Sequence, residues 1–276
     1  MLSLRRIPIG ALIGLILTSL FLIAAIFAPL IAPYSLSEIA GQVWEPSSSK
    51  FLLGTDNLGR DLLSRMIYGA RTTIFIAAAA TAISFILGSV LGFAAAVIGG
   101  WFDTIMSRIV DLLMAIPTLI FGLVVLSVLP TTLVTLILVM GILDSTRVYR
   151  LARAVAVDIN VMDFVEAAKL RGEGTRWIIF REILPNALSP LVSELGLRFI
   201  YAVLFLSALS FLGLGVQPPE ADWGGMVKEN KEGIVFGIPA ALIPAGAIAA
   251  LAISVNLVAD WVLNRTTDLK GGRGNG

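Results

Sequence analysis

The chain has 276 residues, of which 57% are hydrophobic and 14% are charged, and its net charge is +1. Soluble domains carry roughly 45–50% apolar and about 25% charged residues, so this composition excludes an ordinary soluble core and predicts a membrane protein. Cysteine and histidine are absent, which excludes disulfides and thiol or imidazole chemistry. No P-loop sequence is present either. We therefore expect no catalytic residue, no cofactor and no metal site in this chain.

Five stretches of the chain lack Asp, Glu, Lys and Arg, and each could cross a bilayer, which takes about 20 apolar residues. The third is long and contains Pro130, which predicts a break between a span that begins near Thr104 and another over about residues 131–148. The first follows Arg5 and Arg6 and is too long for a cleaved signal peptide, so we interpret it as a retained span. The five stretches are Ile7–Ser37, Thr72–Phe102, Leu112–Leu143, Phe199–Pro219 and Gly233–Ala259.

Charge decides the number of spans. Residues 147–181 carry seven basic and four acidic side chains, which favours a cytoplasmic position. Both chain ends are also basic, and six spans place both ends and this loop on the cytoplasmic side. Five spans would put the loop outside. The sequence therefore predicts an all-α fold with six transmembrane helices and cytoplasmic termini. The basic residues of the two ends are Arg5, Arg6, Arg265, Lys270 and Arg273.

Two segments are predicted to lie outside. Residues 54–71 have apolar side chains at helical spacing and predict an amphipathic helix along the outer membrane surface. The loop over residues 216–232 is acidic and contains Trp223. Arg60, Asp61 and Trp223 are candidate contacts for a partner protein outside the membrane. Anchoring in the membrane interface explains these segments equally well, and both interpretations stay open.

The loop after the fourth span is predicted to be structured. Asp163 and Glu166 have the spacing of a capping box, and Gly172 is a natural stop, so a helix of about two turns is predicted between them. Such a short helix needs a surface on which to dock. A second helix can begin at Thr175 and is interrupted by Pro185. The residues alone also permit a basic connector that lies on anionic headgroups.

Small and polar residues within the spans suggest packing and a path. Ala77–Ala80 and the pair Gly88 and Gly92 favour close packing of helices within the chain. No acid is expected at the centre of a span, which disfavours proton coupling. The acids Asp103, Asp111, Asp144 and Asp260 and the basic Arg108 are expected near cytoplasmic ends. Candidate residues of a translocation path are Met114, Ser207 and Ser210.

The cytoplasmic loop resembles the EAA loop of ABC importer permeases. The match consists of Glu166-Ala167-Ala168, then Gly172, then Leu184-Pro185 at the family's spacing. Phe51–Arg71 and Leu209–Met226 resemble the peptide/nickel/opine branch, and the chain is similar to the shorter of its two permeases. In that family the short helix docks on an ATPase subunit. The resemblance thus implies coupling residues at Glu166, Ala167, Ala168, Leu170, Gly172, Leu184 and Pro185.

The resemblance also implies the partners and the function. Such a permease pairs with a homologous permease to form a path for di- or oligopeptides in the bacterial cytoplasmic membrane. Two separate ATPase subunits bind ATP and magnesium, and an extracytoplasmic binding protein delivers the solute; no nucleic acid is involved. Nickel chelates, opines or glutathione are alternative cargoes, and an ion-coupled transporter is a further alternative. The expected organisation is an N-terminal span with an external segment (1–71), a five-span domain with a coupling loop at about 150–190 (72–265) and a flexible cytoplasmic tail (266–276).

Overall fold

The computed structural model describes residues 7–271, with side chains up to residue 263. Regular structure in this range is helical, apart from two isolated β-bridges that fold residues 39–61 back on themselves. The α-helices are α1 (Ile9–Ile26), α2 (Ala28–Ile31), α3 (Leu62–Ile98), α4 (Gly100–Ala115), α5 (Thr118–Val128), α6 (Leu133–Asn160), α7 (Asp163–Leu170), α8 (Thr175–Trp177), α9 (Leu184–Phe211), α10 (Trp223–Asn230) and α11 (Leu242–Gly271).

The first part of the predicted tail is helical. α11 continues to Gly271 and so includes residues 266–271, and the flexibility of the tail stays a prediction. Residues 272–276 of the predicted tail lie outside the described residues.

Four stretches of the described chain are long and apolar enough to cross a membrane, and the bent pair α4–α5 would make a fifth. The four are Ile9–Ile26, Leu62–Ile98, Thr175–Phe211 and Pro239–Leu263. α6 is not among them and carries Asp144, Arg147 and Arg150. Many large apolar side chains of α1, such as Ile16 and Leu20, point away from the protein, as lipid-facing residues do.

The second predicted span and the predicted interfacial helix are one helix. α3 begins after Asp61, whose carboxylate accepts a hydrogen bond from the Ser64 N–H at 2.8 Å, and its 37 residues run unbroken to Ile98. The prediction of a separate helix along the outer surface is therefore wrong. The helical spacing was read correctly, but it continues into the apolar stretch without a proline. At 1.5 Å per residue α3 is roughly 55 Å long, more than a bilayer core of about 30 Å requires.

The third predicted span is not straight. α4 and α5 meet at a bend of 88° around Ile116 and Pro117. Ile116 is extended (φ −90°, ψ 130°) because a residue before proline is driven out of the helical region. The break predicted at Leu129-Pro130 is confirmed, since α5 ends at Val128 and α6 begins at Leu133.

Charged residues of the apolar helices form ion pairs. Asp103 of α4 pairs with Arg153 of α6 at 2.5 Å, and Asp111 pairs with Arg150 at 2.6 Å. Asp144 lies near the middle of α6 because the helix continues beyond the apolar stretch to Asn160, and its position near the cytoplasmic end of the span stays a prediction.

Glycines bring α3 and α6 into close contact. A Cβ atom on Gly88 would lie 2.7 Å from the Ser145 carbonyl oxygen, and one on Gly92 would lie 2.8 Å from that of Tyr149. The expectation that these small residues serve packing within the chain is confirmed. The tight seam makes α3 and α6 the rigid centre of the helix bundle.

Two apolar clusters occupy opposite ends of α3. One includes Leu62 near its start and reaches Trp223 of α10. The other includes Phe93 near its end, together with Val165 of α7 and Ile183 before α9. The segment before α3 and the loop that contains α7 are therefore held at opposite ends of one long helix.

Candidate functional site

Helix α7 is a separate, well-terminated unit. It covers Asp163–Leu170, close to the predicted two turns. Its N-cap is Met162, whose carbonyl accepts from the N–H groups of Val165 and Glu166, so the prediction of a capping box at Asp163 is wrong. Asp163 and Glu166 instead lie in the first turn, where carboxylates interact favourably with the helix dipole.

Gly172 ends α7 as the sequence predicts. Its φ is +83°, a left-handed conformation that glycine adopts without a steric penalty. The Gly172 N–H donates to the Lys169 carbonyl at 2.9 Å and the Glu173 N–H donates to that of Ala168 at 3.2 Å, which together form a Schellman motif. The chain therefore turns sharply at this residue before α8.

The two faces of α7 differ. Val165 and Ala168 have no exposed surface and pack toward Ile178, Ile183 and the ends of α3 and α6. Leu170 is 83% exposed. Glu166 and Ala167 are also exposed. Among the predicted coupling residues of α7, Ala168 therefore attaches the helix to its own chain, whereas Glu166, Ala167 and Leu170 face outward.

Other large apolar side chains of α7 and of the segments that flank it are also exposed. Their burial against this chain is incomplete, although each is large enough to drive association. These side chains are Val161, Met162, Phe164, Trp177 and Phe180.

Pro185 does not interrupt the helix that leads to α9. A π-helical turn over Ile178–Ile183 precedes it, and the backbone remains helical from Thr175 to Phe211. The wider turn accommodates the proline ring and its missing N–H. Next to the proline, the Asn186 side chain donates to the Glu182 carbonyl at 2.7 Å. Leu184 is half-buried against the apolar cluster at this end, and Pro185 is exposed.

At the opposite end of α3 lies a buried four-charge cluster of Asp56, Arg60, Arg65 and Glu229. Asp56 Oδ2 accepts from Arg60 Nε at 2.7 Å and from Arg65 Nη1 at 2.5 Å. Glu229 Oε2 accepts from the same two guanidinium groups at 3.0 and 2.6 Å. The cluster joins the segment before α3 to α10, which agrees with the prediction that these two segments lie on the same side of the membrane.

The pKa of Asp56 reflects this setting. Burial opposes its ionisation, but hydrogen bonds from the Arg60 N–H, the Arg65 guanidinium and the Leu58 N–H outweigh burial and hold its pKa below the ordinary value. Asp56 is therefore a carboxylate that the fold requires in its ionised form.

The pKa of the buried Asp222 is shifted in the opposite direction. It caps α10 by accepting from the N–H groups of Gly224 at 3.0 Å and Gly225 at 3.3 Å. Burial raises its pKa to about 6, although hydrogen bonds from Ser210 and from the two glycines oppose this rise.

The three predicted binding-protein contacts are buried. Arg60 is 7% exposed, Asp61 is 3% and Trp223 is 1%. Trp223 donates from Nε1 to the Met66 carbonyl at 3.0 Å and packs edge-to-face on Phe21, so its side chain is enclosed within the chain. In this conformation these side chains stabilise the region internally, and contact with a binding protein stays a prediction for the segment around them.

The predicted path residues lie on two helices. Ser210 is buried and accepts from the Val216 N–H at 3.3 Å, and Ser207 is half-buried and donates to the Val203 carbonyl of its own helix. Met114 lines a pocket of about 30 Å³ beside the α4–α5 bend, together with Thr118. Their place in a translocation path stays a prediction.

Sequence reasoning missed the charges that organise the end of the protein near the start of α3. Glu229 is far in sequence from Asp56 and Arg65, and nothing local signals that they meet. Within the part of the chain that is described, no acidic group has the arrangement of a metal site.

The described residues form several apolar helices of bilayer length and a separately terminated helix at one end, which indicates a multi-pass membrane protein. Residues 85–268 match the family described as binding-protein-dependent transport system inner membrane component. Residues 9–46 match the N-terminal transmembrane domain of oligopeptide transport permease C. The chain belongs to this family of ABC importer permeases.

Relatives with peptide-transport names cover nearly the whole chain. The di/tripeptide transport system permease protein DppC of Pseudomonas aeruginosa is 36% identical over 91% of this chain and 85% of its own length. The dipeptide permease DppC of Haemophilus influenzae is 35% identical over 91% of this chain and 88% of its own. The oligopeptide permease OppC of Bacillus subtilis is 34% identical over 91% and 82%.

Proposed function

We propose that the chain is one permease subunit of an importer for di- or oligopeptides. The observation that carries the proposal is the likeness to peptide permeases over nine-tenths of the chain. A homologous permease would complete the path, and an extracytoplasmic binding protein would deliver the peptide. Nickel chelates, opines and glutathione are less well supported as cargo, because the relatives reported above are named for peptides.

ATP hydrolysis on two separate subunits would drive transport through α7. The outward face with Glu166, Ala167 and Leu170 offers a docking surface, and the buried Val165 and Ala168 would pass its movement to α3, α6 and α9. A rigid link is needed because a partner shifts an equilibrium only through contacts that differ between two states. Gly172, Leu184 and Pro185 would hold the angle between α7 and α9.

The proposed topology has six spans with both termini in the cytoplasm. α1, α3, the α4–α5 pair, α6, α9 and α11 would each cross once. Residues 72–265, which include most of α3, would form the transport domain. The first turns of α3, before residue 72, would belong to the external side. The basic loop around α7 would then face the ATPases, as the positive-inside rule requires.

The test of coupling is Gly172→Asp in the complete complex reconstituted in liposomes. An aspartate at a φ of +83° is strained, although no atom lies within 4 Å of the new Cβ atom, so the change should alter the turn without a clash. We expect the complex to assemble and ATP-dependent peptide uptake to fall by roughly tenfold or more, as a strain on the order of 1–3 kcal/mol permits.

Gly174→Asp is the matched control. Gly174 has equally open surroundings but a φ of −79° at the N-cap of α8, where aspartate is favourable. It should transport normally. Normal uptake by Gly172→Asp would refute the coupling role, and a purified chain that transports in liposomes without any ATPase subunit would instead establish the ion-coupled alternative.

A further inference from the structure

A cavity of about 280 Å³ lies between α3, α5, α6 and α9. Its wall is largely apolar, with Met140, Leu119 and Phe205, and two charged side chains, Asp144 and Arg147, border it. Small-ligand sites begin at roughly this size and combine an apolar wall with a few polar groups. The path residues predicted from sequence did not include either charge.

The two charges belong to a neutral group of four. Asp144 Oδ1 accepts from Arg147 Nη1 at 3.5 Å and from Arg198 Nη1 at 3.3 Å. Arg198 is also held by Glu194 at 2.7 Å and lies over the Tyr201 ring at 4.9 Å. Asp144 and Arg198 would therefore remain paired if Arg147 moved away.

Arg147 is the loosely held member. Its side chain is 41% exposed, against 12% for Arg198, and its contact with Asp144 is at the limit of a hydrogen bond. Its other guanidinium contact is to the Thr118 hydroxyl at 3.2 Å. Arg147 and Thr118 also line the pocket of about 30 Å³ beside Met114, so the guanidinium stands between the two spaces.

We propose that Arg147 binds the free C-terminal carboxylate of a peptide as it passes through this cavity. The proposal rests on the proposed function and names a specificity-determining residue for it. A guanidinium fork matches a carboxylate, and the apolar wall strengthens the pairing. The incoming carboxylate would replace Asp144 as the partner of Arg147, while Arg198 keeps Asp144 paired, so no charge would be left buried alone.

The peptide ammonium group does not fit this place equally well. The Asp144 side chain is only 16% exposed and already accepts from two guanidinium groups through Oδ1. Its Oδ2 atom is buried and accepts no hydrogen bond. The accessible charge at the cavity is therefore the cation of Arg147.

The test compares a peptide with its C-terminal amide in the reconstituted complex. The affinity of the binding protein for both forms is measured first, and uptake is followed with the binding protein saturated. Arg147→Gln should lower the uptake rate of the free acid by about tenfold, as loss of one charge-assisted pair predicts, and leave that of the amide unchanged. Arg147→Lys should recover part of the loss.

Arg150→Gln is the control. Arg150 lies one turn further along α6, is 55% exposed and pairs with Asp111 instead of bordering the cavity. It should leave the ratio of acid to amide uptake as in the wild type. An equal loss for both peptides in Arg147→Gln would overturn the proposal and make Arg147 structural.

A second measurement remains possible if Arg147→Gln does not assemble into the complex. The chain has no cysteine, so Ala208→Cys on the cavity wall can be labelled by a hydrophilic thiol reagent and followed on this chain alone. The free acid should protect this thiol better than the amide does, and equal protection would overturn the proposal. If the wild type takes up neither peptide, the peptide function itself falls and this inference with it.

Discussion

At the scale of single residues, buried charges set how the two ends of the protein respond to pH. Asp56 and Asp222 are both almost fully buried, yet they differ in their surroundings. Two guanidinium groups surround Asp56, whereas hydroxyl and backbone donors surround Asp222 and Glu229 repels its charge. The same residue type is therefore stabilised as an anion in one place and as a neutral acid in the other.

We expect Asp222→Asn to change the pH dependence of stability. The folded-state pKa of about 6 is above the ordinary 3.8, so Asp222 stabilises the fold at low pH and this contribution is lost as the pH rises through 6. The variant should raise the thermal midpoint in detergent at pH 7.5 more than at pH 4.5, because an amide oxygen can still cap α10. A midpoint raised equally at both values would contradict the assignment.

Asp56→Asn should show the opposite trend and serves as the comparison. Its lowered pKa means that its contribution is present above the unfolded value of 3.8 and is lost as the pH falls. We expect this variant to lower the thermal midpoint strongly at pH 7.5, since it leaves Arg65 without its closest partner, and less at low pH.

At the scale of helices, the α3–α6 seam is the element on which the rest depends. Its glycines allow backbone contact between two long helices, while α7 reaches the same pair through Val165. α4 buries none of its residues and forms ion pairs such as Asp103 to Arg153, whereas α5 packs Leu126 into the apolar core. Movement during transport would therefore be easier at α4 than within the seam.

Gly92→Val should weaken this seam. A Cβ atom there would already lie 2.8 Å from the Tyr149 carbonyl oxygen, so a branched side chain must separate the helices. We expect a loss of about 1–3 kcal/mol, seen as a lower thermal midpoint of the purified chain. Gly246→Val in α11 meets no atom within 4 Å and should have little effect. Equal effects of the two changes would mean that the seam does not govern stability.

At the scale of the whole molecule, one long helix separates two functional ends. The four-charge cluster lies near the start of α3, and the cluster that holds α7 lies near its end. A signal at α7 and a ligand at the other end would thus act on the same rigid element. The cavity with Arg147 lies beside α3, between α5, α6 and α9.

Single cysteines can test the topology, because the chain has none. Ser48→Cys should react with a membrane-impermeant thiol reagent in intact cells, whereas Gly174→Cys should react only after permeabilisation. These two positions decide whether α4–α5 crosses the bilayer, because α3, α4–α5 and α6 lie between them. Labelling on opposite sides supports six spans, and labelling on the same side would make the α4–α5 pair a re-entrant hairpin.

Several features were predictable because their causes are local in sequence. Gly172 ends α7, and Pro130 separates α5 from α6, since backbone sterics and missing donors act within a few residues. The bend at Pro117 has the same kind of local cause, but the proline lies inside a long apolar stretch that resembles one span. The sequence of α3 suggests two elements, because an amphipathic pattern is followed by an apolar pattern.

The sequence by itself determined membrane residence, the helical class, the family and the two turns at Gly172 and Pro130. These follow from composition, motif spacing and short-range sterics, which need no partner from elsewhere in the chain. Only the tertiary structure decided that Arg60, Asp61 and Trp223 are buried, that Asp56 and Glu229 share two arginines, and that Arg147 borders a cavity. Those outcomes depend on how helices rotate and which distant side chains they bring together, and hydrophobic pattern does not specify the rotation of a helix that is apolar on most of its faces.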